Sequence, residues 1–82
     1  MVVKAGTACY DVPSAVMIGQ RLQAHRYSRN LTMQEVQERT GVTPGLLSQY
    51  ENGKHYPSIV NLLLLCRCYG VNPGEILGGE KQ

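Results

Sequence analysis

The sequence has 82 residues, of which 43% are hydrophobic and 17% are charged, with 8 lysines and arginines against 6 acidic residues. A chain this short accommodates one small domain and excludes a two-domain enzyme with a buried cofactor cleft, while its apolar content is too high for a disordered tail. The net charge of +2 is low for a protein that binds nucleic acid.

Three features bear on where the chain works and what it binds. The uncharged stretch from Pro57 to Cys66 is much shorter than the ~20 apolar residues that cross a bilayer, and residues 1–13 lack the apolar run of a secretory signal. The 3 cysteines are an odd number without metal-ligand spacing, which favours free thiols in a reducing compartment. We therefore expect a cytoplasmic protein without a membrane partner, metal, cofactor or small-molecule ligand.

An N-terminal arm precedes the first helix. The arm comprises residues 1–13. Its pair Val2-Val3 is compatible with either a short strand or a loose segment. The spacing of the apolar groups then predicts a helix over residues 14–28, because residues four apart share one face of a helix. The groups on this face are Ile18, Leu22 and the aliphatic stem of Arg26.

Capping signals delimit the second and third helices. Thr32, with Glu35 three residues later, forms a capping box, and Gly41 predicts the end of that helix. Thr43-Pro44 pairs a hydroxyl cap with proline at the first helical position, where the missing N–H has no cost. Asn52-Gly53 predicts the exit from the third helix.

The fourth and fifth helices complete an all-α pattern. The fourth is capped by Ser58 and ends at Gly70. Its apolar residues, which we expect to form the floor of the core, are Ile59, Leu62, Leu63, Leu65, Cys66 and Tyr69. A short fifth helix is predicted over residues 72–77. The pattern thus predicts an arm at 1–13, a helical domain at 14–78 and a tail at 79–82.

The second and third helices have the spacing of a helix-turn-helix. A helix over 32–40, a break at Gly41-Val42 and a helix over 43–52 let the first helix brace across the DNA backbone while the second enters the major groove. Helical hairpins with a glycine turn also occur in bundles that bind no nucleic acid. The geometry by itself therefore leaves DNA binding open.

Further segments agree with one known family at matching spacings. They are Ile18-Gly19-Gln20-Arg21-Leu22, Arg26, Leu31-Thr32, Glu35-Val36, Gly41-Val42-Thr43, Leu47-Ser48-Gln49-Tyr50-Glu51-Asn52-Gly53-Lys54, Pro57-Ser58, Tyr69-Gly70-Val71-Asn72-Pro73 and Glu75-Ile76-Leu77. Through these residues the chain resembles the lambda-repressor-like helix-turn-helix family, also called the xenobiotic-response-element type. The resemblance implies a compact five-helix domain that binds double-stranded DNA and controls transcription.

The resemblance also implies which residues meet DNA. Base-edge contacts are expected from Thr43, Pro44, Gly45, Leu46, Ser48 and Gln49. Among these, Gln49 is the strongest candidate because its amide can pair bidentately with adenine, whereas Leu46 suits a thymine methyl group. Backbone contacts are expected from Thr32, Met33, Gln34, Asn52, Lys54, His55 and Tyr56. Arg26 and Glu51 match a structural ion pair that bridges the first and third helices.

Several residues depart from the family pattern. Met33 replaces a usual phosphate-binding glutamine, Gln37 replaces a small alanine, and Pro44 and Gly45 bring no polar side chain to the reading surface. Positive charge near DNA would come from Arg29, Arg39, Lys54 and His55. These departures keep an alternative open, in which the scaffold is a protein-interaction module or an antitoxin-like partner with weak or lost DNA binding.

The fourth helix suggests an association surface. By the family pattern, Val60 and Leu64 lie on a side usually given to polar residues, next to Ile76. An exposed apolar strip on a small domain predicts a partner surface, so we expect a homodimer on a palindromic operator. The arm folding over the strip within one chain is the competing interpretation. The sequence contains no nucleophile elbow or phosphate loop, so we do not expect an enzyme. The resemblance implies a transcriptional repressor.

Overall fold

A computed structural model describes residues 13–78 in full and the backbone of two N-terminal strands, β1 (Val2–Ala5) and β2 (Ala8–Asp11). The strands pair in antiparallel fashion, with Val2 opposite Asp11 and Ala5 opposite Ala8. Of the two interpretations of Val2-Val3, the strand is therefore correct. The rest of residues 1–12 and the predicted tail at 79–82 lie outside the described residues.

The body of the chain is the predicted set of five helices. They are α1 (Ala15–Ser28), α2 (Met33–Thr40), α3 (Pro44–Glu51), α4 (Ile59–Tyr69) and α5 (Pro73–Leu77). Each begins one residue after its polar cap, because the capping residue has extended backbone angles while its side chain or carbonyl serves the first turn. The all-α prediction is confirmed for the body, and the hairpin is an addition to it.

The capping box of α2 is present. The Thr32 hydroxyl accepts from the Glu35 N–H at 3.1 Å, and the Glu35 carboxylate accepts from the Thr32 N–H at 2.8 Å. The hydrogen bond from the Thr32 N–H lowers the pKa of Glu35 below its usual range, because it stabilises the charged carboxylate. Gly41 ends the helix with φ of 83°, a left-handed angle that glycine adopts without strain.

One hydrophobic core joins all five helices. α1 packs against α3, α4 and α5, and α2 packs against α3 and α4. The buried apolar residues are Ile18, Leu22, Leu31, Val36, Val42, Leu47, Tyr50, Leu62, Leu65, Cys66, Tyr69 and Ile76. Two residues that the sequence placed in the core, Ile59 and Leu63, are instead exposed on the outer face of α4.

The backbones of α1 and α3 approach closely at Gly19. A Cβ atom at this position would lie 2.1 Å from the carbonyl oxygen of Tyr50 and 3.0 Å from that of Glu51, so only glycine fits. Two residues later on α1, the Arg21 guanidinium donates to the carbonyls of Ile76 and Gly78, both at 2.7 Å. α1 therefore fixes the positions of both α3 and α5.

The longest described helix, α1, has 14 residues. None of the helices among the described residues is long and apolar enough to cross a membrane.

Candidate nucleic-acid interface

The turn between α2 and α3 is held by local contacts. The Thr40 hydroxyl donates to the Val36 carbonyl at 2.8 Å and accepts from the Val42 N–H at 3.0 Å. Val42 is buried in the core, and the Thr43 hydroxyl caps α3 by accepting from the Leu46 N–H at 3.2 Å. These contacts fix the start of α3 relative to α2, as a rigid reading element requires.

The two faces of α3 differ in exposure. Leu47, Tyr50 and Glu51 are buried against the rest of the domain, and the Tyr50 hydroxyl accepts from the Asn61 amide of α4 at 2.9 Å. The outward face carries the residues predicted to meet base edges. Thr43, Gly45 and Gln49 are exposed, and Pro44, Leu46 and Ser48 are half-buried.

Three of these positions differ in what they offer a base. Gln49 is exposed, and among the described residues its amide has no hydrogen-bond partner, so both its donor and its acceptor are available. At Gly45 a Cβ atom would meet nothing within 4 Å, so the surface is open there. Leu46 packs partly against the core, which leaves only part of its side chain for a thymine methyl group.

The residues that are predicted to contact the DNA backbone differ in whether their side chains are exposed or already packed within the chain. Thr32, Gln34, Lys54 and His55 are exposed around α2 and the segment after α3. Met33 is half-buried and packs against the core. Its apolar side chain therefore does not replace the glutamine anchor, and the prediction for Met33 is restricted to its main-chain N–H in the first turn of α2.

Two other residues that are predicted to contact the DNA backbone make hydrogen bonds within the chain. The Tyr56 hydroxyl donates to the Pro13 carbonyl at 3.1 Å, so its proton is unavailable to a phosphate in this conformation. The Asn52 amide nitrogen donates to the Ser48 carbonyl at 2.9 Å and to the Ser48 hydroxyl at 3.2 Å. In this conformation the Asn52 amide faces Ser48, and its contact with a phosphate stays a prediction.

The predicted ion pair between Arg26 and Glu51 is present and buried. Arg26 donates from Nε at 2.7 Å and from Nη2 at 2.9 Å to the two carboxylate oxygens of Glu51. A third donor, Nη1, reaches the Leu31 carbonyl at 2.9 Å. The hydrogen bond to Glu51 raises the pKa of Arg26 further above its ordinary value. The pair joins α1 to the last residue of α3 and sets the angle of the reading helix.

The basic residues lie outside α3. The predicted cations Arg29, Arg39, Lys54 and His55 are all exposed, whereas residues 44–51 contain no lysine or arginine. Arg29 is partly engaged, because its Nη1 donates to the His25 carbonyl and the Ser28 hydroxyl. Among its exposed and half-buried side chains, α3 itself therefore presents neutral polar groups at Ser48 and Gln49 and no positive charge.

The predicted association surface is partly wrong. Ile76 has no exposed area, because α1 and α4 enclose it in the core of its own chain, so it cannot contact a partner. Val60 is exposed and Leu64 is half-buried. Sequence reasoning missed Ile59 and Leu63, which share this face of α4 by helical spacing and are more exposed than Leu64.

No metal site is evident in the part of the chain that the structure describes, where no three histidine, cysteine or acidic side chains come together. Cys66 is buried, which raises the pKa of its thiol, and Cys68 is half-buried two residues later on α4.

Comparisons with known proteins find relatives over the helical body. A family sequence model described as "Helix-turn-helix domain" matches residues 19–81. The chain is 32% identical over 62 residues to the HTH-type transcriptional activator BcrR of Enterococcus faecalis, covering 76% of this chain and 30% of BcrR. It is 31% identical over 66 residues to the antitoxin PezA of Streptococcus pneumoniae, covering 80% of this chain and 42% of PezA. The chain thus spans less than half the length of each of these two relatives.

Among solved structures, the P22 c2 repressor protein in complex with a synthetic operator superposes with a TM-score of 0.72 at 26% identity. The superposition covers 78% of this chain and 97% of the repressor chain. In that protein the same arrangement of helices occurs with operator DNA bound.

Proposed function

The chain belongs to the helix-turn-helix domain family, as a transcription regulator of the lambda-repressor-like type and not an enzyme, and we propose that it represses transcription by binding one specific operator. The observation that carries the proposal is the division of α3. Its inner face is fixed by Leu47, Tyr50 and the Arg26–Glu51 pair, and its outer face is accessible and presents the polar side chains of Ser48 and Gln49. An α-helix held in this way fits the major groove of B-form DNA.

Sequence readout is assigned mainly to Gln49. Its free amide can accept from adenine N6 and donate to adenine N7 at once, from two separate atoms with the spacing of the two base groups. The open surface at Gly45 lets the backbone of α3 approach the base pairs closely. Backbone contacts come from the first turn of α2 at Thr32 and Gln34 and from Lys54 after α3, and they fix the register of the domain on the duplex.

We propose further that the regulator acts as a homodimer on a palindromic site. α4 exposes 76% of Ile59, 66% of Val60 and 44% of Leu63 on one face, which is an unusual concentration of apolar surface for so small a domain. A two-fold interface would pair this face with itself and place the two α3 helices about 34 Å apart, one turn of the duplex. Bound in this way, the dimer would occlude a promoter.

The DNA-binding proposal is tested by selection from a random duplex library, followed by affinity measurements on the enriched sequence. Gln49→Ala should lose roughly 1–3 kcal/mol of affinity for that sequence, the value of one bidentate base contact, while retaining salt-dependent binding to competitor DNA. The matched control is Gln20→Ala, which removes another exposed glutamine from α1. Absence of any enriched sequence for the wild type at low salt would contradict the proposal.

The dimer is tested by light scattering after size exclusion, with and without operator. Val60→Glu combined with Leu63→Glu should give a monomer with wild-type helicity, whereas Gln20→Glu, which adds a charge on exposed α1, should leave the dimer intact. A wild-type chain that remains monomeric at high micromolar concentration, alone and on DNA, would refute the interface.

One observation favours a second function. The exposed apolar face of α4 equally suits a different protein, and the relative PezA is named as an antitoxin. In that case the face would cover a toxin while α3 binds weakly or not at all. A wild type that selects no DNA sequence but whose α4 face forms a stable complex with another protein would favour this alternative.

A further inference from the structure

The N-terminal ribbon, which consists of β1 and β2, has no partner among the described residues of its own chain. The two strands pair only with each other, so both outer edges of the ribbon are unpaired. Within the described part of the chain, neither strand packs against any of the five helices. The molecule is 45 Å long but only 21 and 18 Å across, which agrees with a ribbon that extends beyond the helical body. A ribbon of two strands becomes stable in water only with further strands or a helix to pack against.

The base of the ribbon is fixed beside the start of α4. Three residues, 12–14, connect β2 to α1. The Pro13 carbonyl accepts from the Tyr56 hydroxyl at 3.1 Å, and the Ser14 hydroxyl caps the first turn of α1. Tyr56 lies three residues before Ile59, the first residue of α4. The ribbon therefore begins close to the first turn of α4, although it does not pack against that helix.

The outer face of α4 has the surface that the ribbon lacks. This face, which consists of Ile59, Val60 and Leu63, is apolar and exposed. The strands are also mainly apolar in sequence, since each contains a single charged residue, Lys4 in β1 and Asp11 in β2. The lengths agree as well: 11 residues of helix extend about 16 Å and four residues of strand about 13 Å. A helix of this kind can thus cover one face of the ribbon.

We propose that the ribbon of each copy crosses the two-fold axis of the homodimer and packs along α4 of the second copy, beside the contact between the two α4 helices. This inference rests on the proposed homodimer. A two-fold axis next to α4 brings the base of each ribbon close to α4 of the other copy. The exchange supplies each ribbon with a helix and removes apolar surface of α4 from water, which stabilises the dimer.

The test is disulfide cross-linking of the full chain. The background is Cys68→Ser, which removes the half-buried thiol and keeps the buried Cys66. Ile59→Cys then places a thiol on α4, and Cys9 provides the thiol on β2. Because successive strand residues lie on opposite faces of a ribbon, a second variant with Cys9→Ala and Tyr10→Cys tests the other face. At one of these two strand positions, mild oxidation should join β2 of one copy to position 59 of another, which shifts the 9.1 kDa chain to the mass of a dimer on a non-reducing gel.

The matched control replaces Ile59→Cys by Glu38→Cys, which places the thiol at an exposed position on α2. This variant should give only the slow cross-linking of random collisions. Peptide mapping by mass spectrometry identifies the joined positions, and circular dichroism confirms that each variant retains its helices.

The outcomes separate the inference from the dimer on which it rests. A link between β2 and position 59 within a single chain would show that the ribbon covers its own α4, and links only between two β2 strands would show that the ribbons pair by their edges. Either result overturns the inference. It is also overturned if light scattering shows a dimer but neither strand position links to position 59 faster than to position 38, and in that case the homodimer stands. If the wild type is monomeric, the proposed homodimer fails and the inference fails with it.

Discussion

The buried pair between Arg26 and Glu51 should be the most sensitive polar contact in the domain. Truncating one partner strands the other charge: in Glu51→Ala the Arg26 guanidinium loses two hydrogen bonds, at 2.7 and 2.9 Å, and keeps only the Leu31 carbonyl. Hydrogen bonds to charged groups are worth about 1.5–3 kcal/mol each, and breaking a buried pair costs about 3–5 kcal/mol. We expect a loss of about 3–5 kcal/mol in the free energy of unfolding.

That loss is large for a domain of this size. Native domains have about 0.05–0.15 kcal/mol of stability per residue, so this chain should unfold with roughly 4–12 kcal/mol. At about 4–8 °C per kcal/mol for small domains, a loss of 3 kcal/mol lowers Tm by roughly 12–24 °C. Glu51→Gln should lose less than Glu51→Ala, because the amide oxygen still accepts one Arg26 hydrogen.

The assay is urea and thermal unfolding followed by circular dichroism. Glu38→Ala, which removes an exposed glutamate from α2, is the control and should stay within about 0.5 kcal/mol of wild type. Replacing both partners, as Arg26→Met with Glu51→Leu, should recover most of the loss, because neither charge is then buried alone. The reasoning is refuted if Glu51→Ala matches wild type, or if the double variant is as unstable as the two single losses added together.

Three other predictions concern separate contacts. Gly19→Ala should destabilise the domain by several kcal/mol in urea unfolding, because its Cβ would overlap the Tyr50 carbonyl at 2.1 Å; a variant as stable as wild type would mean that α1 and α3 can move apart freely. Tyr69→Phe should be neutral or stabilising, because among the described residues its buried hydroxyl has no partner, whereas Tyr50→Phe should lose about 1 kcal/mol with its hydrogen bond to α4. In acid titration, the contribution of Glu35 should be complete above its unfolded pKa of about 4.3 and be lost as the pH falls through the lower folded value; Glu35→Gln should abolish this component, and an unchanged acid transition would contradict it.

Short-range signals account for what the sequence predicted well. The capping box at Thr32 and Glu35, the proline after Thr43 and the left-handed glycine at Gly41 each depend on residues within four positions. Their geometry is therefore contained in the local sequence, and the five helices were found within a residue of their ends. The resemblance to a known family then supplied the packing that local signals do not contain.

The wrong predictions concern α4 and α5, because the sequence of each helix does not show which of its sides faces the core. α4 is apolar on nearly every side, so it has no polar face to show which side is inward, and Ile59 and Leu63 were assigned to the core although they are exposed. Ile76 was assigned to a partner surface although Arg21 of α1 holds the end of α5 against the body and buries it. Both orientations are set by other helices and cannot be read from the segment itself.

Asn52 has a partner that is visible in the sequence. The family pattern assigns it to phosphate, and Ser48 lies four residues earlier, within reach of an amide on the same helix face. A residue's neighbours at helical spacing therefore have to be considered when its role is transferred from a family, and the phosphate contact of Asn52 stays a prediction.

The absence of lysine and arginine from α3 has a consequence for affinity. Binding to phosphate depends on the number of charges neutralised, and each monomer presents few exposed cations near its reading surface, chiefly Lys54 and Arg39. A single domain should then bind weakly and with a shallow dependence on salt. The proposed dimer through α4 would make the second half-site contact intramolecular, which would raise affinity without any new charge. Disrupting the α4 face should thus weaken operator binding far more than removing Lys54, and the opposite order would show that charge and not association provides the affinity.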